Sequence, residues 1–309
     1  MRALVVVNPN ATTTSVRTRD VLITALRNDL ELEVTETTHR GHAAELAERA
    51  RDQGMDLVVA VGGDGTVNEV VNGVLAPGSP DPAGRPPVVA IVPGGSTNVL
   101  ARNLGIPENP VEATGLLLDA LRAGRSQPIG LGRVDGRYFT FAAGAGLDAD
   151  VIHAVEEQRA RGRTATVPLY VRTALRRYFA QDDRKAGPIV VEAEDAEPIA
   201  ELSVVIISNC TPWTYVGARP LRPTPQADFN DGLDVFGLTR LGVPSTLRHV
   251  AQMASRRGPR GRHVVTLHDQ ARLVLTSAIP VPLQVDGDYL GRYERAEFVA
   301  VPDAIRIAY

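Results

Sequence analysis

Among the 309 residues of the chain there is a single cysteine, Cys210. One thiol excludes an internal disulfide and any cysteine-based metal site, and it fits a reducing cytoplasm. A strong charge of either sign is also missing. The chain has 33 Lys and Arg against 36 Asp and Glu, a formal net charge of −3. Bulk electrostatics therefore give no support to a nucleic-acid partner. No apolar run approaches the length that spans a bilayer, so any membrane contact is expected to be peripheral. Met1 leads directly into Arg2–Val7, a run too short and wrongly flanked for a signal peptide. There is no internal repeat and no low-complexity tract. Apolar residues make up 44% and charged residues 22%, as in a soluble globular protein of two domains or one large one.

The chain is organised around Val58–Val70. Four apolar residues, Val58 to Val61, stop at Gly62-Gly63-Asp64-Gly65-Thr66. Val67, Val70, Val71 and Val74 then follow at helical spacing, so the stretch reads as buried strand, tight glycine turn and helix. Three glycines let a ligand approach the backbone closely, and amides opening a helix favour an anionic group such as phosphate. Asp64 can hold a cation or orient a phosphate through water, and Thr66 can cap the helix or bond a phosphate oxygen. The plainer reading is a structural turn with a capped helix. Five consecutive residues of this kind after a buried strand favour phosphate.

Around this stretch, strands and helices alternate. Strands are expected at 3–7, 30–37, 56–61 and 88–92, and helices at about 15–29, 42–54, 66–76, 98–104 and 111–123, with a surface loop at 77–87. That alternation implies βαβ units and a parallel sheet, whose ligands sit at the carboxyl ends of the strands. A second glycine-rich turn, Pro93-Gly94-Gly95-Ser96-Thr97-Asn98, follows the fourth strand. After about residue 126 the pattern changes. A hairpin is expected over Arg133–Ala142, a glycine turn at Gly144–Ala149 and helices near 150–160 and 167–181. Short strands at 188–194, 201–208, 233–239, 264–267, 271–276, 282–285 and 297–301 then suggest an antiparallel sandwich. Arg256–His263 is a basic loop. It could touch anionic lipid headgroups, although such loops are ordinarily solvated surface.

Taken together these motifs resemble the diacylglycerol kinase catalytic family, especially its bacterial soluble lipid kinases. Gly62–Gly73 resembles the family signature nearly throughout, and Pro93–Asn98 its second nucleotide loop. Gly144–Ala149 is similar to a third motif, and Asp231-Gly232-Leu233-Asp234 and Asp286-Gly287-Asp288 to two more. Gly-Gly-Asp-Gly-Thr alone also occurs in NAD kinases and phosphofructokinases; the continuation Val67–Gly73 turns the resemblance toward lipid kinases. The resemblance implies an α/β ATP-binding domain with a Rossmann-like parallel sheet at 1–126, rejoined by about 297–309. It implies a mainly antiparallel β-sandwich domain for the lipid at 127–296.

By the same resemblance, Asn8, Pro9, Asn10 and Thr37 lie near the nucleotide. Gly62, Gly63, Asp64, Gly65, Thr66, Asn68 and Glu69, with Gly94, Gly95, Ser96 and Asn98, form the phosphate cradle. Asp64 places a catalytic Mg²⁺, while Asp228, Asp231 and Leu233 hold a structural one. Asp288 is the general base, with Asp286 as the alternative. Three departures stand out. Asp288 replaces a glutamate, Val99 an aspartate, and the Asn8–Thr12 loop lacks the family's Ser-Gly.

The implied activity is ATP-dependent phosphorylation of a lipid hydroxyl, diacylglycerol giving phosphatidic acid. A sphingoid base, a ceramide-like lipid or an undecaprenol-type alcohol offers the same group. The alternatives are phosphorylation of a soluble nucleotide such as NAD, or a catalytically silent nucleotide-binding module. The chain is expected to be cytoplasmic, with transient peripheral contact at the inner face of the membrane. Its oligomeric state is open, a homodimer included. Tyr170, Leu175, Tyr178, Trp213 and Tyr215 are candidates to line a lipid groove.

Overall fold

The computed structural model describes residues 1–11, 16–76, 85–160, 173, 187–194 and 196–309. The expected helix at 167–181, with Tyr170, Leu175 and Tyr178, lies outside the described residues apart from Thr173, as does most of the loop at 77–87. The chain divides into two compact units, Met1–Gly130 with Asp303–Tyr309, and Leu131–Pro302. These limits fall a few residues later than those expected.

The first unit is a parallel sheet. Its strands β1 (Arg2–Val7), β2 (Glu31–Glu36), β3 (Leu57–Gly62) and β4 (Val88–Pro93) stand in the order β2-β1-β3-β4, all parallel. Every residue of β3 is buried, because a central parallel strand is covered on both faces and must be apolar throughout. The edge strand β2 alternates between exposed and partly buried positions instead. The crossovers are α1 (Val16–Arg27), α2 (His42–Asp52), α3 (Asp64–Val74), the short α4 (Val99–Asn103) and α5 (Pro110–Arg122). Asn109 opens α5 by accepting a hydrogen bond from the Val111 amide at 2.9 Å, with Pro110 in the first turn. That is the N-cap chemistry such a pair supplies. Helices α2 and α3 pack so closely that a Cβ on Gly73 would lie 2.2 Å from the Ala44 carbonyl oxygen. The chain leaves β1 for β2 on one side and later returns to β3 on the other. The β1/β3 boundary is therefore the switch point at which doubly wound sheets bind ligands.

The second unit is built on antiparallel pairs. Its elements are β5 (Gln127–Val134), β6 (Arg137–Phe139), β7 (Ala142–Gly146), α6 (Leu147–Ala160), β8 (Ile189–Ala193), β9 (Ala196–Leu202), β10 (Val204–Ser208), β11 (Thr214–Val216), β12 (Arg219–Leu221), β13 (Leu233–Leu238), α7 (Val243–Met253), β14 (Val264–Gln270), β15 (Arg272–Val285) and β16 (Asp288–Ile307). The first residues of β5 and the last of β16 belong to the other unit. The long β15 carries the architecture. Its first half pairs with β8 and its second with β7, and the register shifts between Thr276 and Val281. A bulge of this kind bends a strand. Side chains from both wings, among them Val191, Leu202, Ile207, Val235, Leu283 and Phe298, then share one core.

Several sequence expectations are corrected here. Gly144–Gly146 is not a turn but the end of β7, which runs straight into α6 at Leu147. The strands expected at 271–276 and 282–285 are one strand, and 201–208 is two. Helix α7 and the β11–β12 hairpin had no expectation. A bulged strand reads as two short ones, because the periodicity breaks where the register does.

Candidate active site

In the first unit, both glycine-rich turns sit at the carboxyl ends of neighbouring strands and touch. A Cβ on Gly63 would lie 3.1 Å from the Gly95 Cα, and one on Gly95 would lie 2.7 Å from the Gly63 Cα. The Gly94 amide donates to the Gly62 carbonyl at 2.8 Å. Asn98, in the left-handed region at φ 48, grips its own loop. Its Oδ1 accepts from the Gly95 amide at 2.9 Å and its Nδ2 donates to the Gly95 carbonyl at 2.8 Å. Asp64 joins the turns, since its Oδ1 accepts from the Leu100 amide at 3.3 Å. Across the switch point, Asn8 Nδ2 donates to Thr66 Oγ1 at 3.1 Å, and Asn8 Oδ1 accepts from the Asn10 amide at 2.9 Å.

Helix α3 begins at Asp64, two residues earlier than expected. Gly63 is its N-cap and makes no side-chain cap. No side chain of the capping residue covers the helix's opening amides, and the dipole there favours an anion. Thr66 does not cap the helix; it lies inside the first turn and meets Asn8. Ser96 and Gly65 are exposed, and Gly62 and Gly94 are buried. The arrangement fits a polyphosphate: glycines without side chains, opening amides and an acidic residue beside them.

Not every residue expected at the cradle points that way. Both carboxylate oxygens of Glu69 serve α2, accepting from the Gly41 amide at 2.9 Å and the Ala43 amide at 3.1 Å. Asn68 is 1% exposed, and its carbonyl and Oδ1 accept from Asn72 Nδ2. Thr37 follows β2, with its amide donating to the Val7 carbonyl at 2.8 Å. Pro9 and Asn10 are exposed at the end of β1. Glu69→Ala is expected to destabilise the chain by about 1–2 kcal/mol, as loss of a cap does, and to leave the ATP KM unchanged. Thermal melting and steady-state kinetics check both.

In the second unit, Asp286 and Asp288 lie on one turn and do different work. Asp286 is 6% exposed, at φ 48. Its Oδ2 accepts from the Thr140 amide at 2.7 Å and the Thr140 hydroxyl at 2.9 Å. Its Oδ1 accepts from the Phe141 amide at 3.0 Å and the Ala142 amide at 3.2 Å. The carboxylate thus fastens the β6–β7 connection to the end of β15. Asp288 opens β16, with a side chain 21% exposed, and its Oδ2 accepts from Arg137 Nη2 at 3.0 Å. A base must reach its substrate's hydroxyl, and of the two carboxylates Asp288 has the surface to do so.

Sequence reasoning missed three residues that shape this turn: Arg137, Gln284 and Asp148. Gln284 is 3% exposed. Its Oε1 accepts from the Gly287 amide at 2.9 Å, and its Nε2 donates to Asp148 Oδ2 at 2.8 Å. Asp148 stands in the first turn of α6, and a Cβ on Gly144 would lie 1.8 Å from its Oδ2. The residue keeps some exposed surface, yet its carboxyl end is enclosed. Burial pushes its pKa from 3.8 up to about 6, against the smaller opposing effect of the Gln284 hydrogen bond.

A carboxyl raised in the fold favours the protonated form. Its contribution to stability is complete below the unfolded value and is lost as pH rises through the folded one. Asp148→Asn removes the titration and keeps an acceptor for Gln284. It is expected to match the wild type near pH 4 and to exceed it by up to about 2 kcal/mol above pH 6–7. Paired melting curves across that range check this.

The loop expected to hold a structural metal closes on itself. Asp228 Oδ1 accepts from the Asn230 amide at 3.0 Å and from Asn230 Nδ2 at 2.6 Å. The Asp231 amide donates to the Asp228 carbonyl at 3.2 Å, and Leu233 is buried at the start of β13. The oxygen donors suit a hard cation in kind. Among the described residues, however, no group of three or more His, Cys, Asp or Glu is placed to hold a metal.

Comparison with known proteins gives the same direction. Residues 2–134 match the model of the diacylglycerol kinase catalytic domain. The chain is 29% identical to a diacylglycerol kinase of Bacillus subtilis over 265 residues, 82% of this chain and 78% of that protein. It is 27% identical to a diacylglycerol kinase of Staphylococcus aureus over 296 residues, 94% and 87% of the two. Among solved structures it resembles a putative diacylglycerol kinase from Bacillus anthracis, with a TM-score of 0.77 at 20% identity, covering 100% of this chain and 96% of that one. The solved structure shares the fold, and the relatives span both units. Residues 2–134, which carry both glycine turns and the switch point, thus match a diacylglycerol kinase catalytic domain, and the chain is similar to bacterial diacylglycerol kinases along both units.

Proposed function

We propose that the enzyme transfers the γ-phosphate of ATP to a lipid hydroxyl, with diacylglycerol, giving phosphatidic acid, as the first substrate to test. The observation that carries this reading is the contact of Gly63 with Gly95. The two strand-end turns pack backbone to backbone there, which sets both beside the opening amides of α3, where no side chain of the N-cap residue stands in the way of a polyphosphate. Phosphoryl transfer asks mainly for positioning and charge neutralisation. Gly63, Gly65, Gly94 and Gly95 would take the phosphates, with Ser96 exposed at the rim. Asn8 and Thr66 would order the switch point. Asp64 would offer an oxygen ligand to a magnesium ion, which would supply charge neutralisation at the phosphates. Asp288 would accept the hydroxyl proton as that oxygen bonds to the γ-phosphorus and ADP leaves. Asp286 would hold the turn that presents Asp288. No helix among the described residues is long and apolar enough to cross a membrane. In this reading the lipid would be met by peripheral contact.

The deciding experiment is phosphorylation with radiolabelled ATP across a panel of diacylglycerol, sphingoid base, ceramide and polyprenol, with products identified by mass. Labelled phosphatidic acid that is lost in Asp64→Ala, with the melting point kept, is the expected result. Label in NAD without any lipid product would move the reading to a nucleotide kinase. ATP binding without turnover on any acceptor would leave a silent module.

A further inference from the structure

Positive charge is concentrated in one part of this slightly acidic chain. Between Asp234 and Asp269 the sequence holds no acidic residue and six arginines, Arg240, Arg248, Arg256, Arg257, Arg260 and Arg262. Helix α7 lies within that stretch and shows an inverted pattern. His249 and Met253 face inward, 4% and 6% exposed, while Leu247 is 60% and Val250 48% exposed. Ala251 and Ala254 are exposed as well. Residues 247, 250, 251 and 254 follow the i, i+3, i+4, i+7 spacing of one helix face, so the outward stripe is apolar.

The tertiary structure folds the arginine loop onto this helix. Gln252 Oε1 accepts from the Arg260 amide at 3.1 Å and lies 3.2 Å from His249 Nδ1. Gly261, at φ 152, passes so near that a Cβ would sit 3.1 Å from His249 Cε1. Arg248, Arg256, Arg257, Arg260 and Arg262 are all exposed. No ion pair among the described residues involves any of the six.

We propose that the outward face of α7 and the arginine loop beside it form one docking surface for an anionic lipid bilayer. An apolar stripe flanked by cations is the chemistry of a helix lying in the interface plane, with the stripe among the upper acyl chains and guanidinium groups on phosphates. Guanidinium forks suit phosphate oxygens better than point charges do. A soluble polyanion would use the arginines and leave Leu247 and Val250 in water. A neutral apolar partner would leave the arginines without counter-charge. Only a surface that is anionic outside and apolar beneath satisfies both. The kinase reading supplies the purpose of such docking, but the binding itself does not rest on it.

The test uses the full chain and co-sedimentation with two kinds of vesicle, phosphatidylcholine alone and phosphatidylcholine mixed with phosphatidylglycerol. The wild type is expected to bind the mixed vesicles and to be released by salt. The double variant Leu247→Ser, Val250→Ser and the quadruple variant R256E/R257E/R260E/R262E are each expected to lose about tenfold or more in affinity, with unchanged melting points. Absence of wild-type binding to the mixed vesicles overturns the proposal. So does wild-type affinity in the quadruple variant, or charge-dependent binding that is indifferent to the serine variant. Phosphorylation of a short-chain, water-dispersed diacylglycerol is expected to survive in both variants. If that activity is absent from the wild type while vesicle binding holds, the kinase reading fails and the docking surface stands.

Discussion

Asp286→Ala is expected to destabilise the second unit by roughly 3–5 kcal/mol. The carboxylate is the acceptor for the amides of Thr140, Phe141 and Ala142 and for the Thr140 hydroxyl. These groups sit on a buried connection, with Thr140 1% and Ala142 0% exposed, so water does not replace the lost acceptor. Each stranded donor costs about 1–3 kcal/mol, relaxation recovers part of the sum, and alanine at φ 48 adds backbone strain. Asp286→Asn keeps one acceptor oxygen and a residue at ease in the left-handed region, but turns an amide NH₂ toward two donors, so it is expected to fall between alanine and the wild type. Urea unfolding followed by a probe in the second unit should show the order wild type, asparagine, alanine. An alanine variant with wild-type stability would mean that the donors have other partners.

Asp288→Asn is the contrasting change. Asp288 is partly exposed and bonded through one oxygen to Arg137, a pair near the surface that contributes little to stability. The melting point should move by about 1–2 °C or less. If Asp288 accepts the proton of the attacking hydroxyl, loss of the base should lower kcat by about 10²–10⁴-fold with little change in the ATP KM. Asp288→Glu keeps a carboxylate at this position, one methylene longer, and is expected to retain most of the activity. An asparagine variant that turns over like the wild type would remove Asp288 from the base position. Asp286→Ala and Asp288→Asn together separate a carboxylate that holds the turn from one that would use it.

Much of the first unit was legible in the sequence. Val58–Val61 is apolar because a central parallel strand is covered on both faces, and that condition writes itself into consecutive residues. The glycine turns at 62–66 and 93–98 were legible for a similar reason: backbone that must come close to other backbone or to a ligand leaves a run without side chains. The family resemblance rested on such runs, and the matched catalytic domain over 2–134 lies where they are densest. The second unit was read less well. Its strands are short or bulged, and β15 breaks its period between Thr276 and Val281.

The sequence by itself determined the element order of the first unit, the place of its two glycine turns and the fold class, because each follows from local composition and spacing. Only the tertiary structure decided which side chain answers which. Glu69 stands in the signature, yet its oxygens meet α2 amides 26 and 28 residues away. Asp286 and Asp288 are two residues apart, yet one is enclosed by the β6–β7 connection and the other meets Arg137, 151 residues distant. Asp148 gains its raised pKa from the burial of its carboxyl end against Gly144, with the Gln284 hydrogen bond opposing the rise. A strand or a turn is a property of neighbours in the chain. A hydrogen-bond partner or a carboxyl's access to water depends on neighbours in space, and no periodicity along the sequence encodes it.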